Sequence, residues 1–222
     1  MNGSPPIQPT DPAVERLGHR LRAVTNGVVV IDSLEAVVIT APGTTPRYLV
    51  PRVDVRASLL DESAITAADR VPGYVTVAWQ AAERWYAEDD EVVGHARDPR
   101  HRADALRSSR LVRVVVGASV VAVSERPVVL VETDTRPRYF LPRVDVVAAL
   151  RRSRTSTSSP YLGLATHWSM TLDGEPCDVA VSYDAPQPGV AILEHLIAFD
   201  DRIASIDVSG AHPEGNGHGD PG

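Results

Sequence analysis

One carboxylate, one histidine and two tyrosines in the second half of the chain are the residues best suited to chemistry; they are Glu132, Tyr161, His167 and Tyr183. Glu132 and His167 would form an acid/base pair if both side chains reached a common substrate atom, directly or through one water molecule. The same residues fit a structural role, with an exposed strand histidine and packed tyrosines whose hydroxyls are hydrogen-bonded. Spacing alone does not bring the side chains together, so the sequence leaves both interpretations open.

A second polar set occurs twice, 91 residues apart. It comprises Arg138, Tyr139, Arg143 and Asp145 in the later copy, and Arg47, Tyr48, Arg52 and Asp54 in the earlier one. A planar guanidinium beside tyrosines can hold a carboxylate or a phosphate through two hydrogen bonds. Asp145 is equally well placed to cap a short helix, which is an architectural role. Because the set is present in both copies, architecture is the favoured interpretation.

Any ligand of these residues is predicted to be an anionic or aromatic small molecule. The ligand-binding candidates are Arg138, Tyr139, Arg143, Asp145, Tyr161 and Tyr183. An anionic or aromatic ligand would suit Arg143 with the three tyrosines, because a guanidinium supplies charge and the rings supply flat apolar surface.

Several kinds of site are excluded by what the sequence lacks. All 22 basic residues are arginine, so no lysine can form a Schiff base or complete a phosphate-binding loop. Cys177 is the single cysteine, which excludes an intramolecular disulfide and a cysteine-cluster metal site. The spacing of His95 and His101 matches no standard zinc pattern. We therefore expect neither a metal nor a cofactor.

The chain contains two copies of one unit. Residues 46–59 and residues 137–150 align at an offset of 91 with ten identical residues in fourteen positions. After this motif the second copy runs about thirty residues longer than the first, so the first copy has lost its middle part. A complete site is consequently expected in the second copy.

The copies and the charged stretch between them define the predicted organisation. We predict a disordered N-terminus, a truncated first unit, a connector, a complete second unit and a disordered tail; their ranges are 1–13, 14–86, 87–107, 108–208 and 209–222.

The pattern within each unit is that of short strands. Valine-rich runs separated by turn residues favour β structure, and Asn26-Gly27 and Asp173-Gly174 are typical of two-residue hairpin turns. Two short helices are also predicted: one begins at Asp11-Pro12, and one follows Pro142. The predicted fold is mainly β, with two tandem antiparallel units of curved-sheet or barrel-like form, each with a short helix.

Three motifs resemble a known family. They are VETDTRPRYFLPRVDV (131–146), SSPYLGLATHWS (158–169) and VSYDAP (181–186), and together they resemble the domain of unknown function 427 family, which is sometimes labelled nucleotidyltransferase-like. The resemblance implies a small β fold and no defined reaction. Members usually carry a Cys-Pro-Tyr-Lys-Gly turn where this chain has Ser159-Pro160-Tyr161-Leu162-Gly163, and this chain therefore lacks that thiol and ammonium.

Charge and hydropathy narrow the functional class. The net charge of −7 disfavours nucleic-acid binding, which needs a basic surface. No stretch approaches the roughly 18 apolar residues of a membrane span, and the N-terminus lacks signal-peptide features, so a cytoplasmic protein is expected. The leading prediction is a small-molecule-binding or scaffold module with its pocket in the second copy. The alternatives are an enzyme that uses Glu132 and His167, and an interaction or dimerisation module, which leaves a homo-oligomer open.

Overall fold

The computed structural model describes residues 12–210. The predicted disordered segments at residues 1–13 and 209–222 lie almost wholly outside this range. Within it the chain forms two compact units: the first contains residues 12–102 and 158–163, and the second contains residues 103–157 and 164–210.

The first unit has two sheets. Its strands are β1 (Ala13–Arg16), β2 (Leu21–Thr25), β3 (Val28–Ser33), β4 (Val37–Thr40), β5 (Arg47–Pro51), β6 (Ile65–Ala67), β7 (Tyr74–Val77), β8 (Arg84–Ala87) and β9 (Asp90–Val92). One sheet has the order β1-β4-β5-β7-β6 and the other the order β3-β2-β8-β9. Buried residues of both sheets form one core, with Leu21 and Ile31 from the second sheet and Val38 and Val50 from the first.

The second unit follows the same plan with longer strands. They are β10 (Ala103–Arg107), β11 (Leu111–Val116), β12 (Ser119–Ser124), β13 (Val128–Glu132), β14 (Arg138–Pro142), β15 (Arg151–Ser159), β16 (Gly163–Leu172), β17 (Glu175–Pro186), β18 (Leu196–Phe199) and β19 (Ala204–Ser209). The sheet orders are β10-β13-β14-β18-β17-β16-β15 and β12-β11-β19. The predicted mainly β fold is confirmed, and none of the sheets within residues 12–210 closes into a barrel.

The sequence repeat is also a repeat of backbone geometry. Hairpins β2–β3 and β11–β12 share one register and one irregularity, which follows Ala23 in the first hairpin and Val114 in the second, 91 residues later. A bridge from each hairpin to the motif recurs at the same offset, as Ile31 to Val55 and Ala122 to Val146. Equivalent positions of the two copies can therefore be compared residue by residue.

The predicted hairpin turns are confirmed. Asn26 and Gly27 have φ values of 50° and 72°, and Asp173 and Gly174 have φ values of 51° and 87°. Two consecutive residues with positive φ give the backbone twist that closes a tight hairpin, and Asn-Gly and Asp-Gly adopt it most readily.

The helical predictions need correction. The short helix predicted after Pro142 is a single 3-10 turn, Arg143–Asp145, and it buries no apolar face, since Val144 and the nearby Val147 are 79% and 75% exposed. The reason is a competing backbone contact: the Val147 N–H donates to the Val121 carbonyl at 2.9 Å, which keeps the chain extended beside β12.

The predicted N-terminal helix is also wrong in the part that the structure describes. Residues 13–16 form β1, which pairs with β4, and residues 21–25 form β2, which pairs with β3 and β8. The apolar spacing of Val14, Leu17 and Leu21 fits a helix, but sheet pairing with distant strands decides the structure of such short segments.

Asp145 stabilises the fold by a different contact from the predicted helix cap. The hydroxyl of buried Ser124, at the end of β12, donates to the Asp145 carboxylate at 2.7 Å, and Arg126 donates to it at 3.2 Å. The Arg126 hydrogen bond, with the Ser124 hydroxyl, holds the pKa of the Asp145 carboxyl below its ordinary value of 3.8. The carboxylate thus ties the 3-10 turn to the hairpin.

We expect Asp145→Ala to lower the free energy of unfolding by about 1–2 kcal/mol, because it leaves the buried Ser124 hydroxyl without its acceptor. The difference from the wild type should shrink as the pH falls below 3.8, since a lowered pKa stabilises the fold only while the carboxyl is ionised. Urea unfolding at pH 7 and pH 3 measures both effects.

The first copy provides the control. Asp54 is equivalent to Asp145, but within residues 12–210 its side chain makes no such hydrogen bond. Asp54→Ala should therefore change the stability by less than about 0.5 kcal/mol. Equal losses in the two variants would contradict the assigned role of Asp145.

Candidate functional site

The second unit contains a cavity of about 530 Å³ with both apolar and ionisable walls. Two of the predicted site residues, Arg138 and His167, line it. Its apolar wall includes Ala180, Phe199 and Ile206. A concave site with an apolar wall and a few polar groups is the usual form of a small-molecule site.

His167 is held on β16 by a hydroxyl of the neighbouring strand. Its Nε2 lies 2.9 Å from the Thr157 hydroxyl oxygen, in a hydrogen bond whose direction depends on the tautomer. The imidazole also interacts electrostatically with Asp178 and Asp200, which line the same cavity. His167 therefore lines the same cavity as two carboxylates.

Asp178 on β17 is held by hydroxyl groups. The Ser153 hydroxyl donates to its Oδ2 at 3.0 Å, and the Thr155 hydroxyl also donates to the carboxylate. These hydrogen bonds, the one from Thr155 above all, lower the pKa of the Asp178 carboxyl, with His167 adding to the effect. Asp178 is thus an ionised carboxylate whose close partners are neutral hydroxyls.

Asp200 follows β18 and is already paired. Arg202 donates to its carboxylate from Nε at 2.9 Å and from Nη2 at 2.5 Å. This hydrogen-bonded ion pair is the main cause of the lowered pKa of the Asp200 carboxyl. The charges of Asp200 and Arg202 therefore cancel locally.

Glu132, Arg138 and Tyr183 form a connected group. Arg138, at the start of β14, pairs with the Glu132 carboxylate at the end of β13 and hydrogen-bonds to the Tyr183 hydroxyl. The Glu132 side chain is only 9% exposed and that of Arg138 is 36% exposed. Burial raises the pKa of Tyr183, so its hydroxyl stays protonated. The structure thus makes Glu132 the counter-charge of Arg138.

Two further predicted ligand-binding residues make packing contacts. The Arg143 guanidinium lies over the Trp168 ring, 4.1 Å from its centre, in a cation–π contact. The Tyr139 hydroxyl accepts a hydrogen bond from Arg110 at 3.0 Å. With Asp145 tied to Ser124, these contacts give Tyr139, Arg143 and Asp145 structural roles in the second copy.

Tyr161 lies in the first unit, whereas Arg138, His167 and Tyr183 lie in the second. Its hydroxyl accepts a hydrogen bond from the Asp98 backbone N–H at 2.7 Å, and its ring stacks on His101 with 3.8 Å between ring centres. The structure therefore gives Tyr161 and His101 a shared packing role in the first unit.

The sequence analysis missed Asp178 and Asp200. Asp178 lies on β17 between Cys177 and Val179, which belong to the opposite, apolar face of the strand, and Asp200 stands in a turn. An aspartate at alternate spacing from buried Ala180 on β17 was the available signal, since both side chains then share one face of the sheet. Among the described residues, no group of three or more metal-ligating side chains is found.

Fold and site together define a class of protein: a β-sheet protein built from two copies of one hairpin motif, with a mixed apolar and acidic cavity in the second unit. The chain belongs to the family described as domain of unknown function DUF427, whose family model matches residues 13–86 and 104–210. The resemblance drawn from the three motifs is therefore confirmed, and the two matched segments fit the two copies. A comparison with curated proteins finds no match.

Membrane insertion through a helix has no support in residues 12–210, where no helix is both long and apolar enough to cross a bilayer.

We expect Glu132→Gln to lower the free energy of unfolding by about 1–2 kcal/mol. The substitution keeps the shape of the side chain but removes the counter-charge of Arg138, and the partial exposure of Arg138 limits the loss. Thermal and urea unfolding measure the effect.

Glu194→Gln is the matched control, because Glu194 is an exposed glutamate of the same unit with only an ion contact to His195. Its effect should be close to zero. A loss in Glu194→Gln as large as that in Glu132→Gln would refute a special role for the Glu132–Arg138 pair.

Proposed function

We propose that the protein binds a small molecule in the cavity of the second unit, and that this ligand carries a positively charged amine on an apolar body. The observation that carries the proposal is the state of Asp178, an ionised carboxylate in the cavity wall whose hydrogen-bond partners are the hydroxyls of Ser153 and Thr155.

The charges around the cavity support a cationic ligand. Arg138 is neutralised by Glu132, and Arg202 is neutralised by Asp200. With these pairs set aside, the carboxylates of Asp178 and Asp201 give the cavity wall a negative excess. An ammonium group that reached Asp178 would gain a charge-assisted hydrogen bond without breaking an existing ion pair.

The apolar wall supports a ligand with a hydrocarbon or aromatic portion. Phe199, Ile203 and Ile206 line the cavity together with small residues of β17 and β18. Burial of a ligand's apolar surface there supplies affinity at about 25 cal/mol per Å², while the carboxylate fixes its orientation.

Three other functions predicted from the sequence remain proposals: an anionic ligand held by Arg143, an acid/base enzyme that uses Glu132 and His167, and an interaction or dimerisation module. The anionic ligand predicts a different result in the experiment below. A cytoplasmic location and a nucleotidyltransferase-like activity are likewise proposals, and the cavity described here bears on neither.

Three probes of matched shape test the charge of the ligand: phenethylammonium, 3-phenylpropionate and 2-phenylethanol. We expect calorimetric titration of the full chain to show the tightest binding for phenethylammonium. Asp178→Asn should weaken that binding roughly tenfold to hundredfold, because it removes one charge-assisted hydrogen bond.

Asp184→Asn is the control variant. Asp184 lies on the same strand and is exposed, but it pairs with Arg152 and is not among the residues that line the cavity. Binding of phenethylammonium should survive this change. Preferred binding of 3-phenylpropionate, lost in Arg143→Ala, would overturn the proposal in favour of the anionic ligand, and failure of all three probes to bind would also refute it.

A further inference from the structure

The first unit, despite its lost middle part, contains a cavity of its own of about 360 Å³. Its wall includes the aromatic side chains of Tyr48, Trp79 and Trp85. Arg47 and His95 supply its ionisable groups. This volume falls within the usual range for small-molecule sites, roughly 300–1,000 Å³.

The three rings form a fixed aromatic wall. Trp79 and Trp85 stack with 4.9 Å between ring centres and 11° between ring planes, and Tyr48 is tilted against both. The Trp85 indole N–H donates to the Trp79 carbonyl at 2.9 Å, and the Tyr48 hydroxyl accepts from the Arg97 backbone N–H at 3.0 Å. Tyr48 and Trp85 are 6% and 3% exposed and belong to the core of the unit, whereas Trp79 is only partly buried. Tyr48 and Trp85 therefore support the wall, and Trp79 is the ring that can offer apolar surface to a ligand.

Arg47 brings an unneutralised positive charge to this wall. It is equivalent to Arg138, but position 41 is alanine where the second copy has Glu132. Within residues 12–210 the Arg47 side chain accordingly makes neither an ion pair nor a hydrogen bond. Arg138 is paired with Glu132 and hydrogen-bonds to Tyr183, whereas the guanidinium of Arg47 has neither kind of partner in the described part of the chain and is exposed.

The other residues that line the first-unit cavity do not offset the positive charge of Arg47. None of the described residues that line the first-unit cavity is acidic, whereas Asp178, Asp200 and Asp201 line the cavity of the second unit. The two cavities therefore differ in the sign of the charge that they favour.

We propose that the first-unit cavity is a second binding site, which takes a planar aromatic molecule that carries a carboxylate. The ligand ring packs against Trp79, which stacks on the buried Trp85, and its carboxylate forms a two-point ion pair with Arg47. Arginine suits this ligand because its planar guanidinium matches a carboxylate in geometry and charge.

The test uses 2-naphthoate and its neutral isostere 2-naphthamide with the full chain. We expect 2-naphthoate to bind in calorimetric titration and to quench tryptophan fluorescence, and 2-naphthamide to bind more weakly. Arg47→Gln should weaken 2-naphthoate binding roughly tenfold to hundredfold, whereas Arg52→Gln, which removes an arginine of the same unit that does not line the cavity, should leave it unchanged.

Ala41→Glu is the decisive second variant, because it installs the carboxylate of the second copy beside Arg47. It should abolish the preference for 2-naphthoate over 2-naphthamide while the thermal unfolding temperature stays close to that of the wild type. Equal binding of the two probes, or a 2-naphthoate affinity that neither Arg47→Gln nor Ala41→Glu changes, would overturn the proposal, and so would the absence of binding.

Cross-tests separate this site from that of the second unit. Asp178→Asn should leave 2-naphthoate binding unchanged, and Arg47→Gln should leave phenethylammonium binding unchanged. A loss of 2-naphthoate binding in Asp178→Asn would place that probe in the second unit and refute the first-unit site.

Discussion

The ion pair between Glu132 and Arg138 determines the charge of the second-unit cavity. Arg138 lines that cavity, and without a counter-charge it would offset one of the cavity's aspartates. The Glu132 carboxylate balances the positive charge of Arg138, and Arg138 also hydrogen-bonds to the Tyr183 hydroxyl. The carboxylate of Asp178 then dominates the wall. A pair in which one partner is almost fully buried thus sets the charge beside the neighbouring cavity, although Glu132 itself does not line it.

The two copies have equivalent backbones but cavities whose lining residues differ in charge. Their hairpins share register, irregularity and bridge. Arg47 and Arg138 are the first residues of the equivalent strands β5 and β14, and they pair with the equivalent residues Ile39 and Leu130. Ala41 stands where the second copy has Glu132, so the first copy lacks this ion pair, and the exposed Arg47 keeps its hydration. The absence of the counter-charge therefore costs the first copy little stability.

Part of this structure can be predicted from short stretches of sequence alone. Asn26-Gly27 and Asp173-Gly174 predict their turns because positive φ is a property of the residues themselves. The helix after Pro142 could not be judged in this way, since a hydrogen bond to Val121, far away in sequence, keeps the chain extended. The aspartates that line the cavity with His167 were missed for the same reason: the order of strands β15 to β18 brings them together, and spacing within one strand does not contain that order.

In the turn at residues 158–163, a motif typical of the family does not by itself indicate a chemical role. The Ser159 hydroxyl accepts hydrogen bonds from the backbone N–H groups of Tyr161 and Leu162, at 3.2 and 3.3 Å, which fixes the turn. Leu162 is only 1% exposed, so a lysine in this conformation would bury an ammonium group at a large desolvation cost. In this chain the turn is consequently a packing element, in which Ser159 accepts two backbone hydrogen bonds and Leu162 is buried.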